Sequence, residues 1–520
     1  MDAPPDWVNR RAFLAGAAAT VAWTGGISRA FAQAPPVDAA YRSARDLVAD
    51  LAARKVSAVD LLDQAIARIE ALDKRINAVV VRDFERARQA AQAADQALAR
   101  GERRPLLGLP MTVKEAYNVA GLPTTWGIPT FKDWRPPEDA LVVQRLKAAG
   151  AVIMGKTNVP VALADWQSTN PIYGTTNNPY DVSRTPGGSS GGSAAALAAG
   201  YVALEAGSDI GGSLRAPAHY CGVFAHKPTY GIVPQRGHTF PGAPAIPTAG
   251  DGLSVCGPMA RTAADVTLGL QVMAGPDELR DGVGWKLALP PPRHEALRDF
   301  KVLVIDTHPL CPTSTAVRDS IAGLADRLGK DGVSVAREST LLPDLAAATR
   351  TYMHLLAPIL SQGQPPAFYE RMRTLAAQMG PDDQSLDAIY VRGANAAWRD
   401  VATAGRQRAV QQRQWAALFK QVDVVLCPVM PTVAYPHDHN QGAARRLDVD
   451  GQSQSYTNNI VWAGLALAGG LPASVAPIDR TPAGLPIGVQ ILGPFLEDHT
   501  TLRFAQLLEQ TFGGFVPPKL

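Results

Sequence analysis

The sequence predicts an α/β protein, a single large domain whose central mixed β-sheet is covered by helices on both faces. Short runs such as AVIMG (151–155), FKVLVID (300–306) and QVDVVLCPV (421–429) are largely apolar, so they read as strands buried on both sides. Helical stretches with an apolar stripe, or rich in alanine, alternate with these runs. No linker, repeat or low-complexity block interrupts the pattern, so the 520 residues are read as one domain despite their number.

The chain opens with NRRAFLAGAAATVAWTGGISRAFAQA (9–34). Arg10 and Arg11 precede a weakly apolar Ala/Gly-rich run, Ala12 to Ile27, and small residues suited to cleavage surround Ala32 and Ala34. The run is too short and too weakly apolar for a membrane span. The layout is that of a signal peptide, and the paired arginines resemble a twin-arginine signal. Residues 1–33 are therefore expected to be removed on export, leaving a folded domain over 38–520 in the periplasm or outside the cell.

Two helices follow in SARDLVADLAARKVSAVDLLDQAIARIEALDKRINAVV. Leu47, Val48 and Leu51 form one apolar stripe, and Leu61, Leu62, Ala65, Ile66, Ile69 and Leu72 another. Ser57 is the expected N-cap of the second. The Ala-rich stretch FERARQAAQAADQALARG forms a third helix, stopped by Gly101. LLGLPMTVKEAYNV holds a short strand with Lys114 near its end. ALVVQRLKAAGAVIMGKTN reads as helix then strand, and so does SAAALAAGYVALEAGSDI. Residues from about 280 to 420 are more helical and polar and are expected to form a cap.

Composition narrows the function classes. Apolar residues make up 46% and charged residues 19%, with a formal net charge of +3, which suits a soluble enzyme and offers no electrostatic case for nucleic acid. Cys221, Cys256, Cys311 and Cys427 form no CxxC pair and read as buried thiols. His219, His226 and His238 fall in one window, but their spacing fits no metal-ligand pattern. No metal or cofactor is expected, and His226 reads as a structural hydrogen bonder. Trp126, Trp134, Trp166, Tyr173 and Tyr180 read by default as core.

Three stretches carry chemistry. TPGGSSGGSAAAL (185–197) runs a Gly/Ser loop straight into a helix, without the Gly-Lys-Ser/Thr ending of a phosphate loop. AGSDIGGSLRAP (206–217) sets Ser213 behind two glycines, where Ile210, Gly211, Gly212 and Ser213 present successive backbone donors suited to an oxyanion. Lys114 follows apolar residues, which disfavour its charged form and suit it to act as a base near neutral pH.

Taken together, these stretches resemble the amidase signature family, with the match running from about Ala40 to the end. The interval from Ser189 to Ser213 is the family's, and GLPMTVKE, HKPTYG, VDVVLCPVMPT and GLPIGVQILGP stand in the family's order. The resemblance implies the amidase signature fold and a Ser–cis-Ser–Lys triad. Ser213 is then the nucleophile, Ser189 the bridging serine after a cis peptide bond, and Lys114 the general base, the three side chains forming a chain of near hydrogen-bond contacts. Ser190, Asp209 and Arg215 are implied supporting residues, and Leu163 and Trp166 substrate contacts. Glu115, Glu205, His226 and Ile232 depart from the commoner family residues and leave the subfamily open.

The expected activity is hydrolysis of linear amides to a carboxylic acid and ammonia or an amine through a Ser213 acyl-enzyme. Esters, carbamates and anilides would use the same route. An A-type component of the glutamyl-tRNA amidotransferase is the alternative from another class, and the export signal argues against it. A binding protein without activity is disfavoured by the intact triad. The expected partner is a small-molecule amide, with no nucleic acid and no membrane after signal removal, and a homodimer is left open.

Overall fold

Serine caps open the first two helices. Ser43 and Ser57 adopt extended backbone and accept the N–H groups of Asp46 and Asp60, starting Ala44–Ala52 and Ala58–Ile76. The second helix buries Leu61, Leu62, Ile66, Ile69 and Ile76, and Asn77 closes it in the left-handed conformation. It packs on the Ala-rich helix Phe84–Ala99, which buries Ala87, Ala91 and Ala94 at helical spacing. Gly101 follows with φ +86°, a turn that a larger residue would strain. This computed structural model describes residues 39–248, 250–440 and 444–520. The export segment expected over 1–33 lies outside the described residues. Asp38–Leu520 forms one compact unit.

Eleven strands make the central sheet among the described residues. Across it they run Val79–Arg82, Val152–Thr157, Pro110–Lys114, Leu204–Asp209, Val255–Ala260, Phe224–Lys227, Ala473–Arg480, Pro486–Leu492, Val424–Pro428, Lys301–Val304 and Ser334–Ala336. Pro110–Lys114 is parallel to both of its neighbours, and so is Lys301–Val304; the remaining pairs are antiparallel. The sheet is therefore mixed, as the sequence implies.

Alternate residues feed different apolar layers. Ile153 joins one cluster while Val152 and Met154 join another, and Val424 and Leu426 separate likewise from Val425 and Cys427. Every residue of Pro110–Lys114, Leu204–Asp209, Val255–Ala260 and Pro486–Leu492 is buried. A sheet with both faces buried must be covered on both, which is why Val255–Ala260 and Val424–Pro428 read as unbroken apolar runs, while Lys114, Glu205 and Asp209 are buried ionisable side chains set into their strands.

The stretch 280–420 holds the helices Thr315–Lys330, Leu345–Leu360, Pro366–Gln378, Leu386–Gly393 and Trp398–Leu418. It also supplies Lys301–Val304 and Ser334–Ala336, which finish one edge of the sheet. Lys114 and Asp209 are the last residues of neighbouring parallel strands, so both reach the same end of the sheet. Ligands of open α/β sheets bind at this carboxyl end.

Candidate active site

Lys114 is fully buried, with Nζ 2.6 Å from Ser189 Oγ and 2.9 Å from Ser208 Oγ. Burial lowers its pKa to about 7, against the attraction of Asp209 and of the Cys256 thiol. A lysine held this way has a lone pair to offer a hydroxyl at neutral pH. Behind it, the Tyr117 hydroxyl donates to Gly207 O at 2.6 Å and fixes the strand that carries Ser208.

The peptide bond between Gly188 and Ser189 is cis. Close packing explains the glycines of this loop. A Cβ on Gly188 would stand 2.3 Å from Asp165 O, and one on Gly192 would stand 2.3 Å from Asn158 N. Both neighbours are backbone and cannot swing aside. Gly192→Ala should therefore lower unfolding free energy by about 1–3 kcal/mol in denaturant titration, the usual range for overpacking a tight interior. Ser190 ties the loop to the nucleophile segment: its N–H donates to Ser213 O at 3.1 Å, and its hydroxyl is 3.3 Å from both Ser208 O and Ser208 N.

Ser213 follows the strand Leu204–Asp209 and is nearly buried, 6% exposed. The expected contact chain is present from Lys114 to Ser189 but stops there: no hydrogen bond joins Ser189 to Ser213 among the described residues. The geometry also corrects the oxyanion donors. Gly212 N–H donates to Asp209 Oδ1 at 2.8 Å, so it is not free for a substrate oxygen. Among the described residues no acceptor takes the N–H groups of Ile210, Gly211 or Ser213. These three remain as the donor set, because the Asp209 carboxylate curls the turn around itself. It also accepts from Leu214 N at 3.1 Å.

Asp209 and Arg215 form a fully buried pair, Nη2 to Oδ1 at 2.8 Å and Nε to Oδ2 at 2.9 Å. Burial pushes the Asp209 carboxyl up, but the Arg215 charge and hydrogen bonds outweigh it and hold the pKa at about 2. Arg215 also donates to Ala463 O and to Gln490 Oε1. Asp209→Asn would leave the guanidinium buried and uncompensated. It should cost about 3–5 kcal/mol of stability, read by chemical unfolding at neutral pH.

Trp166 donates from Nε1 to Gly211 O at 2.8 Å and so borders the nucleophile loop. Leu163 sits in a short turn bonded back to Pro160, and no hydrogen bond or ring contact joins it to the triad. Glu115 caps the turn at Thr125 and Trp126, accepting their N–H groups at 2.6 and 3.0 Å. Glu205 accepts from Thr112, and burial raises its pKa to about 8. Ile232 is buried core.

His226 binds Ser474 Oγ at 2.9 Å and Asp498 Oδ1 at 3.0 Å, and His219 sits between Thr432 O and Gly488 N. His238 stacks edgewise on Tyr117, and burial, with the Lys114 charge, lowers its pKa to about 3. The four cysteines are free and buried.

Sequence reasoning passes over Ser208, although it lies inside the same motif as Ser213. It also misses Tyr352, whose hydroxyl donates to Ile210 O, and Gln490. Tyr352 comes from the distant helix Leu345–Leu360 and carries no local signal.

A family model described as Amidase matches residues 60–502. The chain belongs to the amidase signature family. Its fold is the amidase signature fold, and the family is one of C–N hydrolases. Among curated relatives, the A-type component of glutamyl-tRNA(Gln) amidotransferase from Anaeromyxobacter sp. (strain K) is 31% identical, over 91% of this chain and 97% of that protein. The same component from Roseiflexus sp. (strain RS-1) is 32% identical, over 88% and 93%. A solved structure from a vestigial protein complex, tied to the evolutionary origins of an s-triazine catabolic enzyme, is 29% identical. It superposes with a TM-score of 0.77 over 92% of this chain and 100% of that one.

Proposed function

We propose that this amidase signature protein hydrolyses carboxamides by acyl transfer to Ser213. The observation that carries the reading is Lys114, wholly buried, 2.6 Å from Ser189 and poised near neutral charge. Neutral Lys114 takes the Ser189 proton as Ser189 takes that of Ser213. Ser213 Oγ bonds the carbonyl carbon, and the N–H groups of Ile210, Gly211 and Ser213 hold the oxyanion, about 3–4 kcal/mol for an essential donor. The proton returns through Ser189 to the leaving nitrogen, and the C–N bond breaks. Water then cleaves the acyl-enzyme and releases the acid.

Two users of this step are supported differently. A stand-alone hydrolase of small amides follows from the site chemistry and from the Arg10-Arg11 leader, which argues for export. An A-type amidotransferase component, which must release ammonia from an amide donor within a complex, is favoured by relatives matched over 93% or more of their length.

One experiment separates them. The purified protein is assayed on L-glutamine, aliphatic amides, anilides, carbamates and esters, and the native protein is fractionated and its N-terminus sequenced. Turnover of simple amides by an exported chain lacking residues 1–33 supports the hydrolase. Glutamine hydrolysis by a cytosolic chain that copurifies with other proteins of such a complex supports the amidotransferase. Activity on none of the panel in either state overturns the reading.

A further inference from the structure

Segment 165–167 touches both catalytic loops. Trp166 holds the Gly211 carbonyl of the oxyanion loop at 2.8 Å. The backbone of Asp165 and Gln167 lies so close to Gly188 that no Cβ fits there, so the same segment is the wall against which the Ser189 loop rests. Asp438 and Arg445 both grip this segment. Gln167 exchanges two hydrogen bonds with the Asp438 backbone, at 2.7 and 2.9 Å. Arg445 meets Asp165 with both nitrogens, at 2.9 and 3.0 Å. Tyr456 donates to the same carboxylate at 2.7 Å, lies under the Arg445 guanidinium at 3.8 Å, and packs edgewise on Trp166 at 5.5 Å between ring centres. Tyr435 closes the circuit, 2.6 Å from the Tyr456 hydroxyl and 3.3 Å from Trp166 O.

An exposed ion pair of this kind is worth little. This one is largely shielded, with side chains 12% and 20% exposed, and its fork is bidentate with its plane stacked on a ring. Lysine reproduces neither feature. The chemistry needs Ser189 and the oxyanion donors in one relative geometry, and an ångström of error costs about a hundredfold in rate.

We propose that the Asp165–Arg445–Tyr456 clasp is a positioning device. By fixing segment 165–167 it holds the bridging-serine loop and the oxyanion loop in register, so that three side chains with no hydrogen bond to Lys114, Ser189 or Ser213 among the described residues set the reactivity of Ser213. The proposal rests on the hydrolase chemistry proposed above. It assigns Asp165, Arg445 and Tyr456 a role in rate rather than in substrate contact.

The test uses the rate at which a fluorophosphonate labels Ser213, which needs no knowledge of the natural substrate. Ser213 Oγ bonds phosphorus, fluoride leaves, and the hydroxyl proton passes through Ser189 to Lys114. Arg445→Ala should label about tenfold to a hundredfold more slowly than wild type. Arg445→Lys should fall between the two, and Tyr456→Phe should lose severalfold. In a double-mutant cycle of Asp165→Asn with Arg445→Gln, the pair should be no slower than the slower single variant, as for residues acting as one unit.

A clasp that serves only stability would lower the melting temperature and leave the labelling rate of the folded protein unchanged; that result overturns the proposal. If Arg445→Ala does not fold, Tyr456→Phe and Asp165→Asn decide it. Wild-type protein that does not label at Ser213 overturns the hydrolase reading instead, and the clasp with it.

Discussion

Ser213→Ala should abolish amide turnover, lowering kcat by about four orders of magnitude or more while leaving the unfolding transition in place. The size follows from the position. Ser213 is the hydroxyl that stands behind the free N–H groups of Ile210 and Gly211 and next to its own. Without it no acyl-enzyme forms, and only binding and oxyanion stabilisation remain. The fold is spared because the Ser213 side chain makes no hydrogen bond among the described residues; its backbone O accepts from Ser190 N, and alanine keeps that bond. The check is single-turnover kinetics on the best amide of the panel, with mass spectrometry for the acyl adduct. An alanine variant with near-normal turnover would remove Ser213 as nucleophile.

Lys114→Met should produce a loss of similar size, and the expected wild-type pH profile follows from the same group. Burial lowers the Lys114 pKa to about 7, so the protonated, inactive form dominates below that pH and the neutral base above it. The free-enzyme kcat/KM should therefore climb about tenfold per pH unit on the acid side and flatten above about pH 7. Asp209 cannot produce this limb, because its carboxyl is held at about 2. Neither can His238, neutral down to about 3. Methionine fills a similar volume without a lone pair of that basicity, and an unchanged unfolding transition separates loss of the base from loss of the two hydrogen bonds Lys114 makes. A profile flat from pH 5 to 9, or a methionine variant with wild-type rate, contradicts the base assignment.

The large sheet was legible because strands buried on both faces leave runs of apolar letters, as in Val152–Met154 and Val424–Pro428. The Gly/Ser loop was legible as a motif, and the contacts at Gly188 and Gly192 give the steric reason for its composition. Three features were not. The paired signs of Asp209 and Arg215 are visible in the sequence, but a carboxylate that also captures the Gly212 N–H is a matter of turn geometry. Tyr352 reaches the Ile210 carbonyl from a helix whose own sequence obeys only its packing. Lys301–Val304 was legible in FKVLVID, but Ser334–Ala336, in the stretch expected to form a cap, was not, since three partly exposed residues give no apolar run.

The bond from Arg215 to Gln490 has a consequence for biosynthesis. Lys114, Ser189 and Ser213 leave the ribosome early, but the glutamine that completes the Arg215 shell follows that arginine by 275 residues, on the strand Pro486–Leu492. A nascent chain thus carries every reacting side chain long before this brace arrives. Activity is expected only once that strand has been made, and a truncation just short of it should keep Lys114, Ser189 and Ser213 yet turn over no amide.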